Sequence, residues 1–141
     1  MEAPRTSKTQ LSPYVNFQGR AREAMEFYHK VLGGKLELQS LNEQGASKPA
    51  GPGDRIMYSR LEAYGALIIG SDGHPDYPAR VGDNMAIALS GTDRARLTEI
   101  FDGLAEGGKI QGPLAKQPWG ADVGWLKDKF GIAWTVNIDQ S

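Results

Sequence analysis

At 141 residues, with 40% hydrophobic and 23% charged residues, the chain has the make-up of one globular domain with a real core. Sixteen basic residues against seventeen acidic ones leave a formal net charge of -1, so there is no electrostatic case for nucleic acid or an anionic membrane as partner. Zero cysteines exclude disulfides, zinc-thiolate sites and thiol nucleophiles.

Residues 1–11 are polar and lack an apolar signal core, so the sequence predicts a disordered tail ahead of a single domain at 12–141. No later run approaches the roughly 20 apolar residues of a membrane span. Ser12 to Phe17 alternates polar and apolar like a strand. From Arg20 the period becomes helical: Ala24, Met25, Tyr28, Val31 and Leu32 share one face, and Gly33-Gly34 ends the helix. Lys35 to Leu41 predicts a second strand. Asn42 to Asp54, rich in Gly, Pro and Ser and without periodicity, predicts a mobile loop. Arg55–Glu62 and Ala66–Ser71 predict a hairpin around Ala63-Tyr64-Gly65. Asp72 to Asp83 predicts a second loop, with His74 between Asp72 and Asp76.

The pattern then restarts. Asn84 to Leu89 predicts a strand, and a helix follows with Thr92 as N-cap and Leu97, Ile100, Phe101, Leu104 and Ala105 as its apolar stripe. Gly107-Gly108 closes it, and Lys109-Ile110-Gln111 opens the next strand. The last stretch, Pro118 to Asn137, holds all three tryptophans in a hairpin around Lys127-Asp128-Lys129-Phe130-Gly131. Placing Gly19 on Gly91 gives an offset of 72, and placing Gly65 on Gly131 gives 66. The longer Asn42 to Asp54 loop absorbs most of the difference, at little entropic cost. The chain therefore reads as two βαβββ repeats, 12–72 and 84–138. Side by side, their helix-free faces curl into a cup around a shared cavity.

Ser12 to Phe17, Ala24 to Tyr28, Phe101 to Ile110, Trp119-Gly120 and Asp128 to Asn137 resemble the vicinal oxygen chelate superfamily of glyoxalases, bleomycin-resistance proteins and extradiol dioxygenases, and within it the PhnB-like branch. The resemblance implies an α+β fold of two βαβββ repeats, a cup-shaped mixed sheet with helices on its outer face. It also implies four metal-ligand positions, which fall here on Tyr14, Ile69, Ala86 and Thr135. The repeat offsets pair Tyr14 with Ala86 and Ile69 with Thr135. None is an imidazole or a carboxylate, so no metal and no cofactor are expected.

Strand alternation nominates the ligand-binding face. If Tyr14 and Ala86 face the cup, so do Asn16, Ile69 and Thr135, while Val15, Phe17, Trp134 and Val136 pack under the helices. Tyr58 and Arg60, with Glu62, form one stripe that either meets water or reaches the cavity. Trp119, in a Gln-Pro-Trp-Gly loop, and Trp125 are expected to stack on a ligand at the rim. His29 reads as a solvated helix residue. No catalytic triad and no phosphate-cradling glycine loop is present, and the catalytic residues stay unassigned. The expectation is a cytoplasmic, homodimeric, metal-free protein that binds a small organic molecule. Its rival is a lyase, isomerase or dioxygenase of the same fold using a tyrosine or His74 as acid–base.

Overall fold

A computed structural model of the chain describes residues 10–140. Of the expected tail, residues 1–9 lie outside the described residues. The first half contains β1 (Tyr14–Asn16), α1 (Ala21–Leu32), β2 (Lys35–Leu41), β3 (Ser47–Pro49), β4 (Tyr58–Ala63) and β5 (Ala66–Ser71). The second contains β6 (Ile87–Gly91), α2 (Arg94–Ala105), β7 (Lys109–Lys116), β8 (Asp122–Lys127) and β9 (Ala133–Ile138). Two mixed sheets result, of order β1-β5-β4-β2-β3 and β6-β9-β8-β7. In each the half's first strand runs parallel to its last, and the other pairings are antiparallel. This is the expected α+β architecture.

Alternation sorts each sheet into a core face and an open face. Phe17, Leu61, Ile68, Leu126, Trp134 and Val136 are buried with Met25, Tyr28, Ile100, Phe101 and Leu104 of the helices, in a core that runs through both halves. Tyr14, Ile69 and Arg60 line up across the open face of the first sheet. Ala88, Thr135 and Trp125 do so across the second.

Three local expectations are corrected, and one cap is found that the sequence did not offer. The segment predicted as a structureless loop contains β3, because Asn42 Oδ1 accepts from the Gln44 and Ala46 N–H groups and turns the chain back on β2. The third strand of the first repeat begins at Tyr58 rather than Arg55. The N-cap of α2 is Asp93, not Thr92, since the Asp93 carboxylate accepts from the Arg96 N–H at 3.1 Å. The α1 N-terminus takes its cap from far away: Asp72 accepts from the Ala21 N–H at 2.8 Å and, through its other oxygen, from the Ile56 N–H at 2.8 Å.

One buried carboxylate joins the halves. Asp128, 4% exposed, sits in the β8–β9 turn that the sequence offers as an ordinary charged loop. Its Oδ2 accepts from Tyr28 Oη at 2.6 Å and Trp134 Nε1 at 2.9 Å. Its Oδ1 accepts from the Phe130 and Ile132 N–H groups at 2.8 and 3.0 Å. Tyr28 belongs to α1, so the bond ties the first half to the second across 100 residues of sequence. Burial first, then the neighbouring Asp128 carboxylate, raise the Tyr28 phenol well above its ordinary value.

Removing Asp128 leaves three donors of the fold and the Tyr28 hydroxyl without an acceptor. Asp128→Ala is expected to cost about 3–5 kcal/mol in urea unfolding, and Tyr28→Phe about 1–3 kcal/mol. The phenol adds a pH signature. Below about pH 10 both folded and unfolded chains hold the Tyr28 proton. Above it the unfolded chain releases that proton while the folded chain keeps it, so stability falls by up to about 1.4 kcal/mol per pH unit. The stability gap between wild type and Tyr28→Phe should therefore narrow from pH 10 upward; a constant gap would refute the buried assignment of this group.

Candidate functional site

The two sheets do not pair with each other: β1 is an edge strand of the first and β6 an edge strand of the second. Between them lies a cavity of about 700 Å³. Its first wall is β1 and the turn after it, with Tyr14, Asn16 and Arg20. Its second is the 79–86 segment that links the halves, with Arg80, Val81 and Met85. The β8–β9 turn supplies Phe130, Ile132 and Ala133.

Each wall is held by local chemistry. The Tyr14 hydroxyl meets Ser71 Oγ at 2.5 Å, fixing the ring against the partner strand. Asn16 Oδ1 accepts from the Gln18 N–H at 2.8 Å, closing a turn whose Gln18 and Gly19 both take positive φ. Gly73 is needed behind it: its φ is +75°, and a Cβ there would stand 2.3 Å from the Asn16 side chain. Phe130 packs edge-on against Phe17 and Tyr28 at centroid distances of 6.2 and 6.0 Å. The Arg20 guanidinium lies 4.7 Å over the Phe130 ring and is paired with Glu23 at 3.0 Å.

A smaller cavity of about 370 Å³ adjoins, lined by Arg55, Asp72 and His74 among others, and shares Asn16 and Gln18 with the larger one. His74 is exposed; its Nδ1 accepts from the Asp76 N–H at 3.1 Å, and its ring packs on Tyr77. His29 is exposed on α1, 3.1 Å from the Gly34 carbonyl oxygen.

Of the nine residues nominated by the sequence, Tyr14, Asn16 and Ala86 line the large cavity. Ile69 stands beside Tyr14 in the sheet, and Arg60 next to Ile69, where its guanidinium pairs with Glu62 at 2.8 Å. Tyr58 lies on the same open face. Thr135 and Trp125 are neighbours on the open face of the second sheet, where the Trp125 ring lies over Gly112. Trp119 is 71% exposed in the β7–β8 turn. Trp119 and Trp125 do not line either cavity. The repeat register shifts by two residues in one strand: the β6 partner of Thr135 is Ala88, while Ala86 precedes the strand. A shift of two keeps the face and moves only the height, because Asn84 to Ala86 is drawn out of the ladder to wall the cavity.

Arg20, Arg80, Met85, Phe130 and Ile132 are lining residues that sequence reasoning missed. Arg20, Arg80 and Phe130 sit in turns and in the linker, where periodicity gives no sense of direction; Met85 and Ile132 are expected inside strands, which begin only at Ile87 and Ala133.

A family model described as 3-demethylubiquinone-9 3-methyltransferase matches residues 9–137. The chain belongs to that family, the PhnB-like branch of the vicinal oxygen chelate superfamily. This PhnB-like chain is 27% identical to protein YjdN of Escherichia coli K12 over 139 residues, 91% of the chain and 94% of YjdN. The crystal structure of protein PA1353 from Pseudomonas aeruginosa superposes with a TM-score of 0.80 at 39% identity, covering 95% of this chain and 100% of that one. The PhnB protein from Bacillus cereus shares its fold, with a TM-score of 0.71 at 24% identity, covering 94% and 99%. Solved glyoxalase/bleomycin resistance protein/dioxygenase superfamily structures also share the fold, at identities from 13% to 19%. Among the described residues no helix is long and apolar enough to cross a membrane.

The three tryptophans provide a direct check on strand parity. Trp134 is 1% exposed, with its Nε1 engaged by Asp128. A variant keeping only Trp134 (Trp119→Phe, Trp125→Phe) is expected to show several-fold weaker acrylamide quenching than one keeping only Trp119. Equal quenching would mean that β9 presents the opposite face.

Proposed function

We propose that this PhnB-like chain binds a small organic molecule in the seam cavity between its two halves, without a metal ion. The observation that supports it is the cavity itself. It has the volume of an ordinary ligand pocket and takes walls from both halves. It sets apolar groups (Val81, Met85, Ile87, Phe130, Ile132) beside a few polar ones (Tyr14, Asn16, Asn84). Its titratable lining is Tyr14, Arg20 and Arg80, with no carboxylate or imidazole to accept a proton at neutral pH. That chemistry favours binding over the methyl transfer named in the family description.

The metal-free part of the reading rests on residue chemistry. The superfamily resemblance puts ligands at Tyr14, Ile69, Ala86 and Thr135, with Ala88 rather than Ala86 beside Thr135 in the ladder, and neither isoleucine nor alanine offers a side-chain donor atom. Among the described residues no group of three or more His, Cys, Asp or Glu side chains is placed to hold a metal. Elemental analysis of protein purified without chelators is expected to give far less than one divalent ion per chain; a stoichiometric ion would overturn this part.

The binding test is native mass spectrometry of freshly purified protein, with Ala86→Trp as the blocked form. Ala86 is exposed, lies outside the strands and lines the cavity, so an indole there occupies its space without touching the core. Wild type is expected to retain or take up a small organic molecule, and Ala86→Trp to lose at least tenfold in affinity for it. Uptake that Ala86→Trp leaves untouched would place the site elsewhere.

A cytoplasmic homodimer completes the proposal. The exposed Ile110, Trp119 and Trp125 and the unpaired edge of β7 are surface that a second copy covers. A monomer mass in sedimentation at micromolar concentration would count against it.

A further inference from the structure

We infer that the molecule bound in the seam is an organic anion with an apolar body, and that Arg80 is the residue that reads its acidic group. The inference rests on the cavity reading above and adds the chemical class of the ligand. The whole chain is almost neutral, with sixteen basic and seventeen acidic residues. The seam is not. The large cavity has Arg20 and Arg80 in its lining and no acidic residue. The adjoining cavity, which shares Asn16 and Gln18 with it, adds Arg55 and His74. The one carboxylate in either lining is Asp72, and both its oxygens are occupied by the Ala21 and Ile56 N–H groups. Three guanidinium groups thus border a basin whose one lining carboxylate is committed to the backbone; just outside the lining, Glu23 is set against Arg20 and Asp76 beside His74.

The three guanidiniums differ in what they are free to do. Arg20 is paired with Glu23 through both carboxylate oxygens and laid over Phe130. Arg55 donates to the Gly73 carbonyl. Arg80 makes no ion pair or side-chain hydrogen bond among the described residues. It stands on the linker, next to Val81 and near Met85 in the same lining. A guanidinium fork matches a carboxylate, sulfonate or phosphate and stays charged at any working pH. Beside it, Phe130 and Ile132 offer an apolar wall backed by Phe17, Phe27 and Tyr28. An acid head on Arg80 and a flat or aliphatic body on Phe130 satisfy both.

Two fluorescent probes of almost the same shape test this: 8-anilinonaphthalene-1-sulfonate and its uncharged parent, N-phenyl-1-naphthylamine. Both are titrated into the whole 141-residue chain, with circular dichroism to confirm that each variant is folded. Wild type is expected to bind the sulfonate at least tenfold more tightly than the amine. Arg80→Gln should bring the two affinities to within threefold of each other, whereas Lys116→Gln, a charge change on exposed β7, should keep the tenfold ratio. Ala86→Trp should weaken both probes. Equal binding of the two probes by wild type, lost in Ala86→Trp, overturns the anion inference and leaves the cavity reading standing. Failure of both probes to bind, or binding indifferent to Ala86→Trp, overturns the cavity reading and this inference with it. A preference abolished by Arg20→Gln but not by Arg80→Gln overturns the assignment to Arg80.

Discussion

The structure depends on one carboxylate that has left the surface. Asp128 lies in a tight turn between two strands, a position where an aspartate ordinarily faces water and costs the fold nothing. Here it is drawn inward and satisfied by four donors: two backbone N–H groups of its own turn, the Trp134 indole and the Tyr28 hydroxyl. The first three are local and shape the β8–β9 turn. The fourth is not, and it fixes where the first half's helix sits on the second half's hairpin. A buried polar network of this kind is costly if any member is missing and strongly specifying when all are present. Hydrophobic burial drives the two halves together, but it is non-directional. The Tyr28–Asp128 bond selects one docking among the many that would bury similar area.

That docking decides the shape of the seam. Phe130 and Ile132 flank the turn that Asp128 closes, and the two N–H groups bonded to the carboxylate are theirs. Their side chains are thereby held at the mouth of the gap between β1 and β6. Phe130 is further wedged against Phe17 and Phe27 of the first half, with the Arg20 and Lys129 cations over the rings. The cavity is therefore pre-formed by contacts that also stabilise the core, which lowers the entropy cost of ordering it around a ligand.

Periodicity made the helices legible: Ala24, Met25, Tyr28 and Leu32 are buried as their spacing requires, and so are Leu97, Ile100, Phe101 and Leu104. Parity made the strand faces legible, down to Trp134 inward and Thr135 outward. What it did not convey was height along a strand and anything outside one. The duplicated pattern made Ala86 the counterpart of Tyr14, yet the ladder begins at Ile87, and Ala88 stands beside Thr135 as Tyr14 stands beside Ile69. The same limit applied to the site. Tyr14 and Asn16 could be named because they lie on a strand with a defined alternation. Arg80 and Phe130 could not, because a linker and a turn have no period, and the charge of Asp128 argued for solvent until its distant partner, Tyr28, was in place. The short β3 was hidden for a related reason: three residues are too few for a pattern, and the Asn42 turn that creates it is set by side-chain chemistry.

The binding site proposed in the seam has a consequence for how such a fold would change its ligand. The open faces of the two sheets are built from strand residues whose neighbours on either side belong to the core, so altering them disturbs packing. The seam instead draws Arg80, Val81, Met85 and Ala86 from a linker that belongs to neither sheet. Substitutions there change charge and shape at the cavity without removing a core contact, and loops tolerate such change at small cost. The two constraints on the chain are thus separated in space. Tyr28, Asp128 and Trp134 hold the halves in register, while the 79–86 segment is free to set what the space between them accepts.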